Sequence, residues 1–321
     1  MDFRPSTVDF RLNHVIIANQ GHRLKMNPIK NFRPAALIFL SLAILLSACE
    51  PATSAAPSGC TPGSYEEEIT SGGQARQYRL HIPKSYRPAT PAPLLLGFHG
   101  AGSTAAQFEA YSGFTTLSDQ ASFIAVYPQG LGDLTNWDTM PDSQDVSFVR
   151  ALIDSLAARC NIDPARIFAT GHSRGGGMVN RLACELSDRI AAIGPVSGDY
   201  ENAGTCSPSR PMPVVAFHGT ADPTIPYNGF GLPGQIHESY LRIGTPIPTW
   251  AAAWAERNGC SNTPSMVFQF GPVTGQGWGD CTSGADVVLY TIQDGTHDWP
   301  TAVDAAQMIW NFFSKHPLPA K

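Results

Sequence analysis

Gly171-His172-Ser173-Arg174-Gly175 is the segment whose residue types and spacing most clearly suit chemistry. It follows the apolar run Arg166–Thr170 (RIFAT) and leads into a helical stretch at 176–186. Small residues on either side of a serine let a strand-to-helix turn pinch, which leaves the serine hydroxyl exposed at its tip. The helix behind it directs the positive end of its dipole at any negative charge that develops there. A serine hydroxyl is a weak nucleophile until a base takes its proton, and the base needs an acid to orient it. Downstream, 213–217 (PVVAF) runs into His218-Gly-Thr-Ala-Asp222-Pro, and 286–291 (DVVLYT) runs towards Gly295-Thr296-His297-Asp298-Trp299. Ser173, Asp222 and His297 therefore each stand just past the carboxyl end of a predicted strand. An open α/β sheet gathers its site at that end.

Other residues compete for these roles. Asp199 closes the preceding strand and is the rival to Asp222. Asp298 neighbours His297 but cannot easily curl back onto it. His172 adjoins the serine and is expected to point to the other side of the turn, as packing. His99, in the Phe-His-Gly loop, is expected to shape that turn, and His218 to be buried and hydrogen-bonded. Acyl transfer also needs donors for an oxyanion. The N–H of Arg174, the residue after the nucleophile, is one candidate; the N–H of Ala101, in the loop after 93–99 (PLLLGFH), is the second.

The elements that must position these groups alternate. The run 77–82 (QYRLHI) alternates in polarity and reads as an antiparallel edge strand. The runs 93–99 and 122–127 (SFIAVY) read as buried parallel strands. Helical spacing spans 146–158, with Asp142 or Ser143 as N-cap, and a last apolar helix spans 302–313. Strands alternating with helices predict an α/β protein with a mostly parallel sheet and helices on both faces. Residues 223–249 are rich in Gly and Pro and directly follow a strand-end acid, so a cap over a pocket is expected there.

Together, GFHGAG, YPQG with NWD, CNIDPARIFATGHSRGGGMVNRLACELSDRIAAIGPVSG, VVAFHGTADPTIPY, WAERNGC and VVLYTIQDGTHDWP closely resemble the feruloyl esterase / polyhydroxybutyrate depolymerase-like family of secreted α/β-hydrolases, related to carbohydrate esterase family 1. The resemblance runs from about Cys60 to Phe313. It implies an α/β-hydrolase fold, a serine carboxylic-ester hydrolase, and catalytic roles for Ser173, Asp222 and His297. Feruloyl esters of plant-wall xylan are the first substrate it suggests; polyhydroxyalkanoate and acetylxylan follow. Trp137 matches the family's loop near the acyl pocket, and Trp299 and Tyr227 are further aromatic candidates for binding substrate. Where relatives often carry Asn or Met, this chain has His172 and Arg174. Its base is followed by Asp-Trp-Pro-Thr rather than the family's Thr-Trp-Pro-Gly. A serine peptidase and a non-catalytic binding lipoprotein are the readings from other classes. The first would normally need a gating domain, and the intact triad argues against the second.

Composition bounds the rest. The chain has 321 residues, 43% hydrophobic and 15% charged, with a net charge of -5. Without a basic surplus it is not expected to bind nucleic acid. An apolar run of about 12 residues from Ala35 follows Lys30 and Arg33 and has the pattern of a secretory signal, with Met26 a candidate start. Leu46-Ser47-Ala48-Cys49 resembles a bacterial lipobox. Cys49 is thus the expected lipidation site, segment 1–48 the signal, 49–59 a tethered linker, and 60–321 a single domain. The expected product is exported, anchored to the bacterial envelope or released, monomeric, and in contact with membrane only through its lipid. Six further cysteines, an even number in an exported chain, favour three disulfides. Cys260 and Cys281 flank one short excursion. Cys184 ends the helix behind the serine and can meet Cys206, which leaves Cys60 for Cys160. A Cys160–Cys184 link is the alternative. No Cys/His cluster has metal spacing, so neither metal nor cofactor is expected.

Overall fold

The computed structural model describes residues 59–132, 134–200, 206–229 and 245–319. By its contacts the chain divides into Met1–Ala52 and Thr53–Lys321, and every described residue belongs to the second unit. The signal segment, Cys49 and most of its linker lie outside the described residues, as does the middle of the expected cap, 230–244.

Among the described residues ten strands form one sheet: β1 (Gly63–Ser71), β2 (Gln74–Ile82), β3 (Ala92–Phe98), β4 (Ile124–Pro128), β5 (Ile162–His172), β6 (Ala192–Val196), β7 (Val214–Gly219), β8 (Ser265–Phe270), β9 (Val273–Trp278) and β10 (Val287–Ile292). Their order is β1-β2-β4-β3-β5-β6-β7-β10-β9-β8. The six central strands, β4 to β10 in that order, are parallel, and an antiparallel pair closes each side. The central strands are near-continuous apolar runs because both their faces are covered. On β3, Leu94, Leu96 and Phe98 face the core under α3 (Gln144–Arg159), α4 (Arg174–Glu185) and α5 (Ile247–Arg257). Leu95 faces the core under α1 (Ala105–Ser112), α2 (Phe114–Ala121) and α6 (Ala305–Phe313). A strand's period of two thus feeds two cores at once.

Two expectations change here. The strand at 77–82 is longer and lies second from the edge, because β1 pairs along its whole length. The excursion between Cys260 and Cys281 is the hairpin β8–β9, which extends the sheet past β10. Ser143, one of two candidate caps, accepts the Val146 N–H at the start of α3. Cys60 pairs with Cys160, Cys184 with Cys206, and Cys260 with Cys281, so the alternative Cys160–Cys184 link is not formed.

Candidate active site

Ser173 joins β5 to α4 and occupies the N-cap of α4 with φ 56° and ψ −119°. That left-handed φ is unusual for a residue with a side chain and costs of order 1–3 kcal/mol. The turn is held from several sides. The Ser173 N–H donates to the Val196 carbonyl at 2.9 Å, while its own carbonyl accepts from Gly177 and Asp199. A Cβ on Gly175 would lie 2.2 Å from the Phe98 carbonyl oxygen, so the turn closes against β3 only because position 175 has no side chain.

Asp222 and His297 arrive on loops that follow β7 and β10, which are neighbours in the sheet. The two loops interlock: the Ala221 N–H donates to the Gly295 carbonyl at 2.9 Å, and the Asp294 N–H to the Thr220 hydroxyl at 2.8 Å. The result is a continuous chain. Ser173 Oγ lies 2.8 Å from His297 Nε2, and His297 Nδ1 lies 2.8 Å from Asp222 Oδ2. Asp222 is buried, with Oδ1 accepting from the Thr224 and Ile225 N–H groups at 2.9 and 2.8 Å. Its Oδ2 also lies 3.3 Å from Nε2 of the fully buried His218. Burial alone would raise the Asp222 carboxyl. The hydrogen bonds from His218, His297 and the Ile225 N–H outweigh it and hold the group well below the usual carboxylate range. An imidazole so oriented, against a serine hydroxyl, is the arrangement that activates a nucleophile.

Asp199, the rival acid, does not face His297; it accepts from the Arg174 guanidinium at 3.2 Å. His99 is buried and does shape its loop: Nδ1 donates to the Gly100 carbonyl at 2.7 Å, and Nε2 accepts the Gly130 N–H at 2.9 Å. His218 is buried and donates to the Ile225 carbonyl at 2.8 Å.

A cavity of about 560 Å³ opens over Ser173. Gly100, Ala101, Ser103 and Thr224 line one part of it, and Tyr111, His172 and Trp299 the aromatic part. Among the described residues the Ala101 N–H makes no hydrogen bond. Arg174 opens α4, and first-turn N–H groups of a helix point out of its end. Trp299 lies on the wall. Trp137 does not: its ring is 1% exposed, and its indole N–H donates to the His99 carbonyl at 2.8 Å. It seats the loop that carries Ala101. Tyr227 is also absent from the wall. Its hydroxyl bonds Thr291 Oγ1 at 2.7 Å and its ring packs on His218, bracing the Asp222 loop. His172 reverses its expectation, since it lines the cavity and reaches the base. Tyr111 escaped the sequence reading because α1 has no clear apolar periodicity to announce it.

Among the described residues no group of His, Cys, Asp and Glu is arranged to hold a metal, and no helix is long and apolar enough to cross a membrane.

The chain is similar to feruloyl esterase B of Piromyces equi, at 32% identity over 263 residues, 76% of this chain and 46% of that protein. It thus spans about half the length of that relative. Feruloyl esterase D of Neurospora crassa is 27% identical over 300 residues, 85% of this chain and 96% of that one. The solved acetyl xylan esterase of Aspergillus awamori shares the fold, with a TM-score of 0.59 at 14% identity over 78% of this chain and 99% of that one. The alpha/beta hydrolase family's sequence profile matches residues 94–319, and with the sheet order and the elbow at Ser173 this places the chain in the alpha/beta hydrolase family.

Proposed function

We propose that the protein is a serine carboxylic-ester hydrolase that releases feruloyl groups from plant-wall polysaccharide. The observation that carries this reading is the unbroken chain Ser173 Oγ–His297 Nε2 and His297 Nδ1–Asp222 Oδ2, at 2.8 Å in each step, beneath a cavity with an aromatic wall. Ser173 Oγ attacks the ester carbonyl while His297 Nε2 takes its proton. Asp222 fixes the imidazole and stabilises its cationic form. The N–H groups of Ala101 and Arg174 receive the oxyanion. The intermediate collapses as His297 protonates the departing alcohol oxygen, which leaves the acyl group on Ser173. Water, deprotonated by His297, then attacks the acyl carbonyl, and the acid and free Ser173 return.

The cavity's size falls within the range of ~300–1,000 Å³ that suits drug-sized ligands, and Tyr111 and Trp299 offer faces to a cinnamoyl ring. The similarity to feruloyl esterases B and D supports the same acyl group. Acetyl esters of xylan form a second reading, favoured by the similarity to a bifunctional acetylxylan esterase/xylanase of Neocallimastix patriciarum at 27% identity. The proposed protein is exported and tethered through acylated Cys49, which stands at the end of a lipobox-like segment. Side-by-side hydrolysis of methyl ferulate, p-nitrophenyl acetate and hydroxybutyrate oligomers tests the substrate class. The feruloyl reading expects the highest kcat/KM on methyl ferulate, and a preference for acetate or for the oligomers would overturn it. Cys49→Ser is expected to move the protein from the membrane fraction to the soluble fraction.

A further inference from the structure

His172 stands beside the nucleophile and takes no part in the proton relay, yet its ring spans the gap between the cavity wall and the base. Its Nε2 lies 2.8 Å from the main-chain carbonyl oxygen of His297, and its Nδ1 lies 3.2 Å from the Tyr111 hydroxyl. A carbonyl can only accept, so Nε2 carries the proton. In the neutral ring Nδ1 is then bare, and Tyr111 donates to it. A phenol carries its proton at ordinary pH, so Tyr111 is the donor.

We propose that His172 is a positioning residue: through its Nε2–H it holds the main chain of His297 in register with Ser173, and Tyr111 fixes the tautomer that makes this possible. The inference rests on the esterase reading and adds to it a residue that acts through the base.

The loop itself supplies the reason. From Thr296 to Trp299 the bond from His172 is the one main-chain hydrogen bond among the described residues. Upstream the loop is pinned at Gly295; downstream the next main-chain bond is at Asp304. The base therefore hangs on a stretch whose backbone is tied at a single point. His297 Nε2 must stay within hydrogen-bond reach of Ser173 Oγ through two proton transfers, and the side-chain bond to Asp222 alone leaves the ring free to swing with its backbone.

Charge agrees with geometry. Burial, followed by the proximity of His297, pushes His172 down to about 4, so it is a neutral donor at ordinary pH. The two rings lie 5.2 Å apart. A cation at His172 would oppose the imidazolium that His297 forms in mid-reaction; a neutral ring does not.

The test uses two esters that differ in the acyl group, methyl ferulate and p-nitrophenyl acetate, with wild type, His172→Leu, His172→Gln and Tyr111→Phe. Misplacing a base affects every substrate, whereas losing a wall contact affects only the bulky one. Because a displacement of about 1 Å can cost ~10²-fold, His172→Leu is expected to lower kcat on both esters by a similar factor of ~10–10², with KM within about threefold. His172→Gln, whose amide can still donate to the carbonyl, should recover most of that loss. Tyr111→Phe should lower kcat on both esters by a smaller common factor. A loss confined to methyl ferulate, or no loss on either ester, would overturn the proposal. If melting shows that His172→Leu does not fold, Tyr111→Phe decides by the same criterion. A wild type inert towards both esters would overturn the esterase reading, and this one with it.

Discussion

Replacing Asp222 by Asn tests the triad with a defined mechanism of failure. The carboxylate is held on both sides. Oδ1 accepts two backbone N–H groups, from Thr224 and Ile225, and Oδ2 faces His297 Nδ1. An amide has one oxygen. The two N–H donors claim it at the Oδ1 position, which sends the NH2 group towards His297. Nδ1 must then accept, its proton moves to Nε2, and the nitrogen that should receive the Ser173 proton already carries one. The tautomer is inverted while the geometry survives. Such inversion costs about 10⁴ in kcat in a worked triad, or ~5 kcal/mol at 1.36 kcal/mol per tenfold. Asp199→Asn weakens one contact of the Arg174 guanidinium, which also donates to the Trp137 carbonyl, and leaves the base untouched, so it should keep activity within about tenfold. The assay is kcat on p-nitrophenyl acetate, with circular dichroism to show that both variants fold. An Asp222→Asn enzyme within tenfold of wild type, or a larger loss at Asp199, would refute the reasoning.

Three further outcomes are expected. Ser173→Ala should be inactive and folded; Ser173→Gly should also be inactive but about 1 kcal/mol more stable than the Ala variant by thermal melting, because Gly tolerates the φ of 56°. His172, lowered from 6.5 to about 4 by burial and by His297, stays neutral while the unfolded chain takes up a proton, so this group makes stability fall as pH drops from about 6.5 to about 4. Denaturant titrations at several pH values should show that slope flattened in His172→Gln. Non-reducing peptide mapping should link residues 60 to 160, 184 to 206 and 260 to 281, and loss of the bridge closing a separation of 100 residues should cost the most stability, about 4–5 kcal/mol in the chain-entropy account.

The central sheet was readable because its strands are buried on both faces. Runs such as Pro93–Phe98 and Pro213–Phe217 admit no exposed position, and each ends in the Gly-rich turn that carries a functional residue. The outer strands were not. β1 carries three consecutive Glu, 66 to 68, and β8 carries exposed Met266, Val267 and Phe270, so neither strand's sequence shows a period of two. In the site, Ser173, Asp222 and His297 were legible from chain order and strand ends. Trp137 and Tyr227 were misread because aromatic residues near a site mark its supports as readily as its walls. The Trp137 indole N–H is bonded to the His99 carbonyl and the Tyr227 hydroxyl to Thr291, and no spacing rule reports such bonds. His172 was misread for a related reason. The turn places its ring towards a loop 125 residues away in sequence, and local pattern carries no trace of that contact.

The central claim is that Ser173 carries the acyl group between two half-reactions. The most direct measurement is acid quenching of the enzyme during steady-state turnover of methyl ferulate, followed by proteolysis and mass spectrometry of the peptide containing Ser173. The account predicts a feruloyl adduct on Ser173 in wild type that accumulates further in Asp222→Asn only as slowly as that variant acylates, and no adduct or turnover in Ser173→Ala. Turnover that persists in Ser173→Ala, or an adduct on another residue, would contradict it.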